Sequence, residues 1–265
     1  MNLWDIRSAH TRAEHPDQSN YSMHTHDKYE LLYIIHGHAD FSVEGNIYHI
    51  KKGDLILVRK SESHYIYLRS SAYYERILVS FNIAKNDMPN NDLDNRLASM
   101  IYDQSLGKYN LFSGDQFPDN HWLYYLNRIC EYKDAETQAL YLMALLNEMA
   151  EKYELVQTTS AADIPCTASA VIEYINRHLF ENLSLENICT QFYLSESQMN
   201  RIFKKATCST VWNYITIKRL LHAKELLQSG EKPTVVSEKC GFQNYVSFYK
   251  AYRKQFGHAP KEDSI

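Results

Sequence analysis

Two stretches near the carboxyl end of the chain carry side chains that proteins use to recognise duplex nucleic acid. In the first stretch, Met199, Ile202 and Phe203 recur at helical spacing and must face inward. The outward face then carries Glu196, Ser197, Gln198, Asn200, Arg201, Lys204 and Lys205, and Ser195 caps the helix. Polar side chains on such a face can bond to base edges, and lysines can neutralise phosphate. The alternative is an ordinary solvated helix face, and one such face is weak evidence.

The second stretch repeats the pattern of the first. Met199, Phe203, Lys204 and Lys205 reappear 49 residues later as Phe248, Tyr252, Arg253 and Lys254, which indicates a duplicated unit. Phe248, Ala251 and Tyr252 face inward, and Gly241 supplies the preceding turn. The outward candidates for nucleic-acid binding are Asn244, which also caps the helix, and Tyr245, Ser247, Tyr249, Lys250 and Arg253.

The surrounding sequence predicts the elements that position these helices. Ser184 caps a helix with Leu185, Ile188 and Phe192 on its buried face, and Tyr193 begins the turn that leads to Ser195. This is a helix-turn-helix pattern. Between the two units, residues 209–229 predict one helix of about 30 Å, whose buried stripe comprises Trp212, Ile215, Leu220, Ala223 and Leu227. Successive major grooves on one face of DNA are ~34 Å apart, so this helix suits a monomer that occupies two of them.

The charges of the 265 residues are unevenly distributed. Residues 195–261 hold 12 Lys and Arg against 4 Asp and Glu, whereas residues 1–165 hold 15 against 23. A basic back and an acidic front suggest two domains, with a polyanion as partner of the second. A solvated charged surface is the alternative explanation.

Other classes of protein lack support in the sequence. The five cysteines are widely spaced without a Cys-x-x-Cys pair, which argues against a disulfide framework or a zinc ribbon. No apolar run is long enough to span a membrane, and the polar start does not resemble a signal peptide, so we expect a cytoplasmic protein. The chain has no P-loop, no dinucleotide fingerprint and no Gly-x-Ser-x-Gly motif. We therefore expect no catalytic residues and no enzyme activity.

Residues 170–260 resemble the DNA-binding domain of the AraC/XylS family of bacterial transcription regulators. The resemblance rests on both motifs and their connecting helix: Ser184 to Ile188, Ser195, Met199 to Lys204, Tyr214, Arg219, Leu220, Ala223, Leu226, Leu227, Gly241, Phe242, Ser247, Phe248, Tyr252 to Lys254, Phe256, Gly257 and Pro260. It implies an all-α domain over 167–265 that binds a double-stranded operator. Cys208, Pro233 and Ser237 depart from the family pattern, as does the absence of Tyr-Arg after Pro260, and these departures put the rigidity of the second unit in doubt.

The front of the chain predicts a sandwich or small barrel of short strands. Apolar runs at 31–35, 41–43, 47–50, 55–58, 64–68 and 77–81 are separated by turns. Residues 1–92 resemble the cupin-type sensor domain of this family, on the spacing His24-x-His26-x3-Glu30-x6-Gly37 and on Gly53 with His64 eleven residues later. Arg59 and Ser61 replace the proline and glycine of the second motif. The fold expected is thus α+β, a cupin-like barrel followed by helices.

The resemblance implies an effector site in the barrel, at His24, His26, Glu30, Tyr33 and His64. In metal cupins, the positions of His24, His26, Glu30 and His64 supply metal ligands, so a metal is an alternative; we assign no metal and no cofactor, and expect an organic effector. Sugars are a common class, and Trp4, Tyr29, Tyr33, Tyr65 and Tyr67 suit the mixed surface of a carbohydrate. An acidic effector facing Arg7, Arg59 or Arg76 stays open.

Residues 93–154 predict a helical region, clearest at 121–132 and 135–153, and correspond by position to the dimerisation helices of the family. In the second helix, Leu140, Met143, Ala144 and Leu146 or Asn147 form a stripe. Candidate dimer faces are Trp122, Leu123, Leu126 and Ile129, and Leu142, Leu145, Leu146 and Met149, either of which could pack on the barrel instead. Residues 155–166 lose this periodicity and predict a linker.

The resemblance thus implies an effector-responsive regulator, an activator that contacts RNA polymerase as a homodimer and controls genes of carbohydrate uptake or metabolism. Two alternatives remain: a metal-dependent cupin fused to a DNA-binding module, and an effector-independent regulator whose barrel serves oligomerisation.

Overall fold

The computed structural model of the protein describes residues 5–18, 24–69, 73–83, 92–102, 106–159, 167–207 and 209–264, apart from the side chains of 92–94 and 159. The chain divides near residue 165 into two compact units. The first holds the strands and the helical hairpin, and the second holds the helix-turn-helix units. The expected α+β architecture is confirmed. Trp4, Cys166 and Cys208 lie outside the described residues.

The first unit is built on two antiparallel sheets. Its strands are β1 (Arg7–Ala13), β2 (Tyr29–His36), β3 (His38–Val43), β4 (Asn46–Lys51), β5 (Leu55–Val58), β6 (His64–Leu68), β7 (Tyr74–Phe81) and β8 (Leu111–Phe112). One sheet has the order β1-β7-β2-β5-β8 and the other the order β4-β3-β6. Side chains alternate between the two faces of each strand. The space between the sheets is filled by a buried apolar cluster that includes Leu32, Phe41, Ile56 and Ile66.

The other face of the five-stranded sheet is covered by helices. These are α1 (Asp92–Ile101), α2 (Trp122–Glu131) and α3 (Ala135–Thr159). Strand β8 interrupts the region 93–154 that we expected to be helical. Both candidate dimer faces pack into the core on this side of the sheet, with Trp122, Leu126, Ile129, Leu142, Leu145, Leu146 and Met149 all buried. They are therefore core faces of this unit.

Helix α3 corrects two predictions. Leu140 is 73% exposed, so the stripe predicted through it is wrong, and the stripe through Leu142, Leu145 and Met149 is the buried one. The helix also continues to Thr159, because Tyr153 and Val156 extend that buried stripe by helical spacing. Residues 155–159 of the predicted linker are helical, and 160–166 lie outside the described residues.

Strand β1 has no apolar alternation and was not predicted. It is held to β7 by a full antiparallel register from Arg7 opposite Ser80 to Ala13 opposite Tyr74. Arg12 Nε and His10 Nε2 lie 2.9 Å and 2.7 Å from Glu75 Oε1, and the Tyr73 hydroxyl donates to Oε2 at 2.8 Å. The hydrogen bond from Arg12, then that from Tyr73, lowers the pKa of Glu75 to about 2.

This carboxylate predicts a pH dependence of stability. Because the pKa of folded Glu75 lies below its ordinary value of 4.5, its contribution is present above that value and is lost as the pH falls towards about 2. We expect Glu75→Gln to lower the free energy of unfolding near neutral pH, and the difference from wild type to shrink within that window. Urea denaturation across the range measures it. Arg12→Gln should behave similarly, and a difference independent of pH would contradict the assignment.

The second unit is entirely helical. It comprises α4 (Thr167–Arg177), α5 (Leu185–Gln191), α6 (Glu196–Thr207), α7 (Val211–Gln228), α8 (Pro233–Lys239) and α9 (Tyr245–Phe256), followed by a 3-10 turn (Pro260–Asp263). The connecting helix α7 has 18 residues and so measures about 27 Å. Its predicted buried stripe holds except at Trp212, which is 53% exposed. Among the described residues, no helix is both long and apolar enough to cross a membrane.

The departures from the family pattern that fall on described residues are accommodated locally. Pro233 is the first residue of α8, where its missing N–H would have no helical partner. Ser237 is buried, and its hydroxyl donates to the Thr234 carbonyl at 2.8 Å. Neither residue interrupts a helix. These two positions therefore give no reason to doubt the rigidity of the second helix-turn-helix.

Candidate nucleic-acid interface and sensor site

The first helix-turn-helix is fixed by two caps. The Ser184 hydroxyl accepts from the Asn187 backbone N–H at 3.1 Å and starts α5. Ser195 and Gln198 form a reciprocal cap on α6, in which Ser195 Oγ accepts from the Gln198 N–H at 3.3 Å and Gln198 Oε1 accepts from the Ser195 N–H at 3.0 Å. Two of the predicted DNA-binding side chains therefore also hold the start of the recognition helix.

The buried side of α6 sets which residues face outward. Met199 and Phe203 lie fully inside the core of the first helix-turn-helix, with α4, α5 and α7 around them. On the outward side, Ser195, Ser197, Gln198, Arg201, Lys204 and Lys205 are exposed and Asn200 is half-buried. The cationic side chains thus lie along one helix face.

Helix α9 repeats this arrangement. Asn244 Oδ1 accepts from the Ser247 N–H at 2.8 Å, and Phe248 and Tyr252 anchor the buried side. Asn244, Tyr245, Ser247, Lys250 and Arg253 are exposed, and Tyr249 is half-buried. An open groove of about 770 Å³ runs along this helix and is also lined by Val246 and Lys254. Sequence reasoning missed these two as site residues, although Lys254 was already visible in the repeat.

The turns of the two helix-turn-helix motifs each contain one residue in the left-handed backbone conformation. Tyr193 and Gly241 both have positive φ, 54° and 73°. A Cβ on Gly241 would lie 2.9 Å from the Phe180 carbonyl oxygen and 3.1 Å from the Arg219 guanidinium, so the second turn requires glycine. Tyr193 is 96% exposed and meets no such crowding.

Arg219 joins the two helix-turn-helix units. Its place in the family pattern was recognised from the sequence, but this structural role was not predicted. Its buried guanidinium donates from Nε to the Leu179 carbonyl at 2.8 Å and from Nη2 to the Glu181 carbonyl at 2.8 Å. Nη1 donates to the Gly241 carbonyl at 2.6 Å. The segment after α4 and the turn before α9 are therefore bound to the same side chain of α7.

Four of the five predicted effector residues lie together in the sensor. Ligand atoms of His24, His26, Glu30 and His64 all lie within 4.8 Å of one another. His64 Nε2 is 3.7 Å from Glu30 Oε1, and the His24 and His64 rings meet edge to face with centroids 4.2 Å apart. Backbone bonds between His24 and His64 in both directions fix this pair.

This cluster fits either a metal ion or a hydroxylated ligand. His64 Nδ1 lies 2.9 Å from the Glu62 carbonyl oxygen, which can only accept, so Nδ1 carries a proton while Nε2 faces Glu30. Such a bond on the remote nitrogen is usual in histidines that bind metal. Three imidazoles and a carboxylate are a donor set for divalent transition metals.

Tyr33 does not belong to this cluster, and its predicted place in the barrel site is wrong. It lies three residues from Glu30 on β2, so the two side chains point to opposite faces of the sheet. Tyr33 packs on the side covered by the helices, as does Tyr29. It lines a separate pocket with residues of β2, of the β4–β5 turn and of the segment that leads into α2.

Arg59 is also withdrawn as a candidate for binding an acidic effector. It is buried and donates from Nε to the Met100 carbonyl at 2.8 Å and from Nη2 to the Tyr153 hydroxyl at 3.0 Å. Its remaining contacts are with the Lys108 carbonyl and with the buried carboxylate of Glu62. These contacts are structural. Arg7 is exposed on β1 and Arg76 is half-buried on β7.

Comparison with known proteins identifies both units. The family described as helix-turn-helix domain matches residues 188–263, and the family described as AraC-like ligand binding domain matches residues 9–85. The chain is 39% identical over 93 residues to the HTH-type transcriptional regulator YobQ of Bacillus subtilis (strain 168), covering 35% of this chain and 39% of that protein. It therefore spans about two fifths of YobQ.

Longer alignments exist at lower identity. The HTH-type transcriptional activator RhaS of Escherichia fergusonii is 24% identical over 273 residues, which cover 92% of this chain and 88% of that protein. A solved structure of ToxT from Vibrio cholerae aligns over 97% of both chains with 14% identity and a TM-score of 0.39. The chain thus carries an AraC-like ligand binding domain followed by a helix-turn-helix domain, the two domains that its resemblance to the AraC/XylS family implies.

Proposed function

We propose that this regulator inserts α6 and α9 into consecutive major grooves of one operator. The observation that carries the proposal is the pair of exposed cationic faces, each fixed by an N-cap and by two buried anchors. The connecting helix α7, about 27 Å long, and the Arg219 bonds hold the two helix-turn-helix motifs together. Such an arrangement suits the ~34 Å between major grooves on one side of DNA.

Loss of one arginine from each face tests the interface. We expect Arg201→Ala and Arg253→Ala each to weaken specific operator binding by about 1–3 kcal/mol, as for an arginine that contacts guanine. Fluorescence anisotropy at fixed salt, with a duplex selected from a random pool by the wild-type protein, measures the affinity. Arg177→Ala, an exposed arginine of α4, is the matched control. Unchanged affinity for both variants, or a footprint of a single helical turn, would contradict the proposal.

The first unit acts in this proposal as a sensor. An organic effector, a sugar in the first instance, binds at the cluster of His24, His26, Glu30 and His64, whose nitrogen and oxygen atoms suit hydroxyl groups. Different affinities for two sensor conformations then shift the population that binds DNA productively. The protein works by binding rather than by catalysis.

The wider assignment follows from the family. We infer a cytoplasmic activator that acts as a homodimer and contacts RNA polymerase, and that controls genes of carbohydrate uptake or metabolism. The two apolar faces of α2 and α3 are buried in the core. A dimer contact through this hairpin must therefore use its outer side, where Tyr124, Leu140 and Leu155 are exposed.

A second candidate ligand for the same cluster is a divalent metal, favoured by the convergence of four ligand atoms. Thermal denaturation with sugars, combined with elemental analysis of purified protein, separates the two. A sugar should stabilise by about 2.7 kcal/mol at a hundredfold excess over Kd, and Glu30→Gln should remove that gain. His38→Gln, an exposed histidine of β3, is the control. If the wild-type protein contains one metal ion per chain and Glu30→Gln contains none, the metal is favoured. If no sugar raises the stability and no metal is found, the cluster is not a ligand site.

A further inference from the structure

We infer that the pocket between the helix-covered face of the five-stranded sheet and the start of α2 binds a small monocarboxylic acid with a compact apolar body. The pocket has a volume of about 500 Å³, within the range of small-molecule sites. It lies on the opposite face of β2 from the cluster of His24, Glu30 and His64. The inference does not depend on the identity of the effector at that cluster.

Tyr33 is the polar group at the base of this pocket. Its residue is only 7% exposed, and its hydroxyl makes no hydrogen bond with the described part of the chain. Burial, followed by the charge of Asp54, raises the pKa of Tyr33, so the hydroxyl keeps its proton and can donate. The hydroxyl therefore opens into the pocket, where a ligand or water must supply its acceptor.

The start of α2 adds further donors. The Trp122 N–H is bonded to Asn120 Oδ1, and the Tyr125 N–H makes the first helical bond. The N–H groups of Leu123 and Tyr124 therefore remain for a ligand, at the positive end of a ten-residue helix without an acidic residue in its first turn. A carboxylate is the acceptor that such an end favours.

The charges around the pocket agree with an anionic head group. Lys52 lines the pocket and is exposed. The carboxylate of Asp115 on the lining is paired with Lys51. Glu148 accepts from the His121 N–H at 3.2 Å and is paired with Lys152 at 3.0 Å. These two acids thus have cationic partners, whereas the buried carboxylate of Asp54 accepts from the backbone N–H groups of Lys51 and Gly114, each at 2.9 Å.

The rest of the lining determines the body of the ligand. Ile35, Pro118, Leu123 and the rings of Tyr33 and Tyr124 supply an apolar surface around the donors. A single ring or a short branched chain fills such a pocket, whereas a polyhydroxylated ligand would leave hydroxyl groups against apolar side chains.

Phenylacetate and its neutral match phenylacetamide test the inference on the full chain without DNA. Ligand-observed NMR titration should show saturable binding of phenylacetate, with phenylacetamide at least tenfold weaker. Tyr33→Phe removes only the unpaired hydroxyl and should weaken phenylacetate about tenfold. Lys52→Gln should weaken it roughly threefold. The controls are Tyr67→Phe and Lys108→Gln, both at exposed positions away from the pocket lining.

Three results would overturn the inference. They are no saturable binding of phenylacetate at millimolar concentration, equal binding of the acid and the amide, and unchanged affinity in Tyr33→Phe when its thermal denaturation matches wild type. Because the assay contains no operator and no sugar, none of these results bears on DNA recognition or on the histidine cluster.

Discussion

Replacing Arg219 by alanine is expected to lower the free energy of unfolding of the second unit by about 3–5 kcal/mol, because three buried or partly buried carbonyl oxygens lose their charged donor at once. Burial lowers the pKa of Arg219, so the fold already bears a desolvation cost that the three carbonyls offset. The substitution also frees the segment after α4 from the turn before α9. Operator affinity should therefore fall by more than for either recognition arginine alone.

Urea denaturation followed by circular dichroism, with operator binding measured on the same samples, tests this expectation. Arg219→Lys keeps the charge but has no planar fork to reach three carbonyls, so we expect it to lie much nearer to alanine than to wild type. Arg177→Ala, which removes an exposed pair with Glu173, should cost less than about 1 kcal/mol. A loss below about 1 kcal/mol for Arg219→Ala would show that these bonds do not hold the two helix-turn-helix motifs together.

Glu62→Ala is expected to destabilise the first unit by about 3–5 kcal/mol, the usual result of removing one partner from a buried ion pair. The Glu62 carboxylate accepts from the N–H groups of Arg59 and Gly107, each at 2.7 Å, and from Asn110 Nδ2 at 2.8 Å. Arg59 Nη1 lies 3.4 Å from Glu62 Oε1. Without Glu62, the Arg59 guanidinium stays buried with no carboxylate.

A double-mutant cycle separates the charge from the packing. Wild type, Arg59→Met, Glu62→Leu and the double variant form the cycle. The double variant removes both charges and should recover part of the loss seen in Glu62→Leu. Thermal and urea denaturation of the four proteins give the coupling energy. Glu131→Ala, which removes an exposed pair with Arg128, is the surface control and should change stability by less than about 1 kcal/mol. Strict additivity of the two core substitutions would contradict the pairing.

The recognition helices could be predicted from the sequence because their signals are local. Caps at Ser184, Ser195 and Asn244 and anchors such as Phe203 and Phe248 act within one or two helical turns. The side chains predicted to face outward on α6 and α9 are exposed or half-buried in the structure. Their contacts with DNA stay a prediction, as does the histidine cluster as an effector site.

Features that depend on distant partners escaped prediction. Strand β1 has no apolar pattern of its own and depends on β7, with Glu75 at the centre of its contacts. The buried position of Arg219 depends on carbonyls about 20 and 40 residues away. The error at Tyr33 was avoidable from the sequence. Side chains alternate along a strand, so residues 30 and 33 of one strand must point to opposite faces of the sheet. The apolar run around it concealed this, since a strand buried on both sides has no visible alternation.

Strand β2 is a wall common to two compartments, with Glu30 directed to one and Tyr33 to the other. If both proposed ligands bind, each acts on the same eight residues of backbone. If both ligands prefer a particular geometry of this strand, each changes the affinity for the other, and by the same factor. Through such heterotropic linkage, the concentration of one metabolite would change the response of the protein to the other.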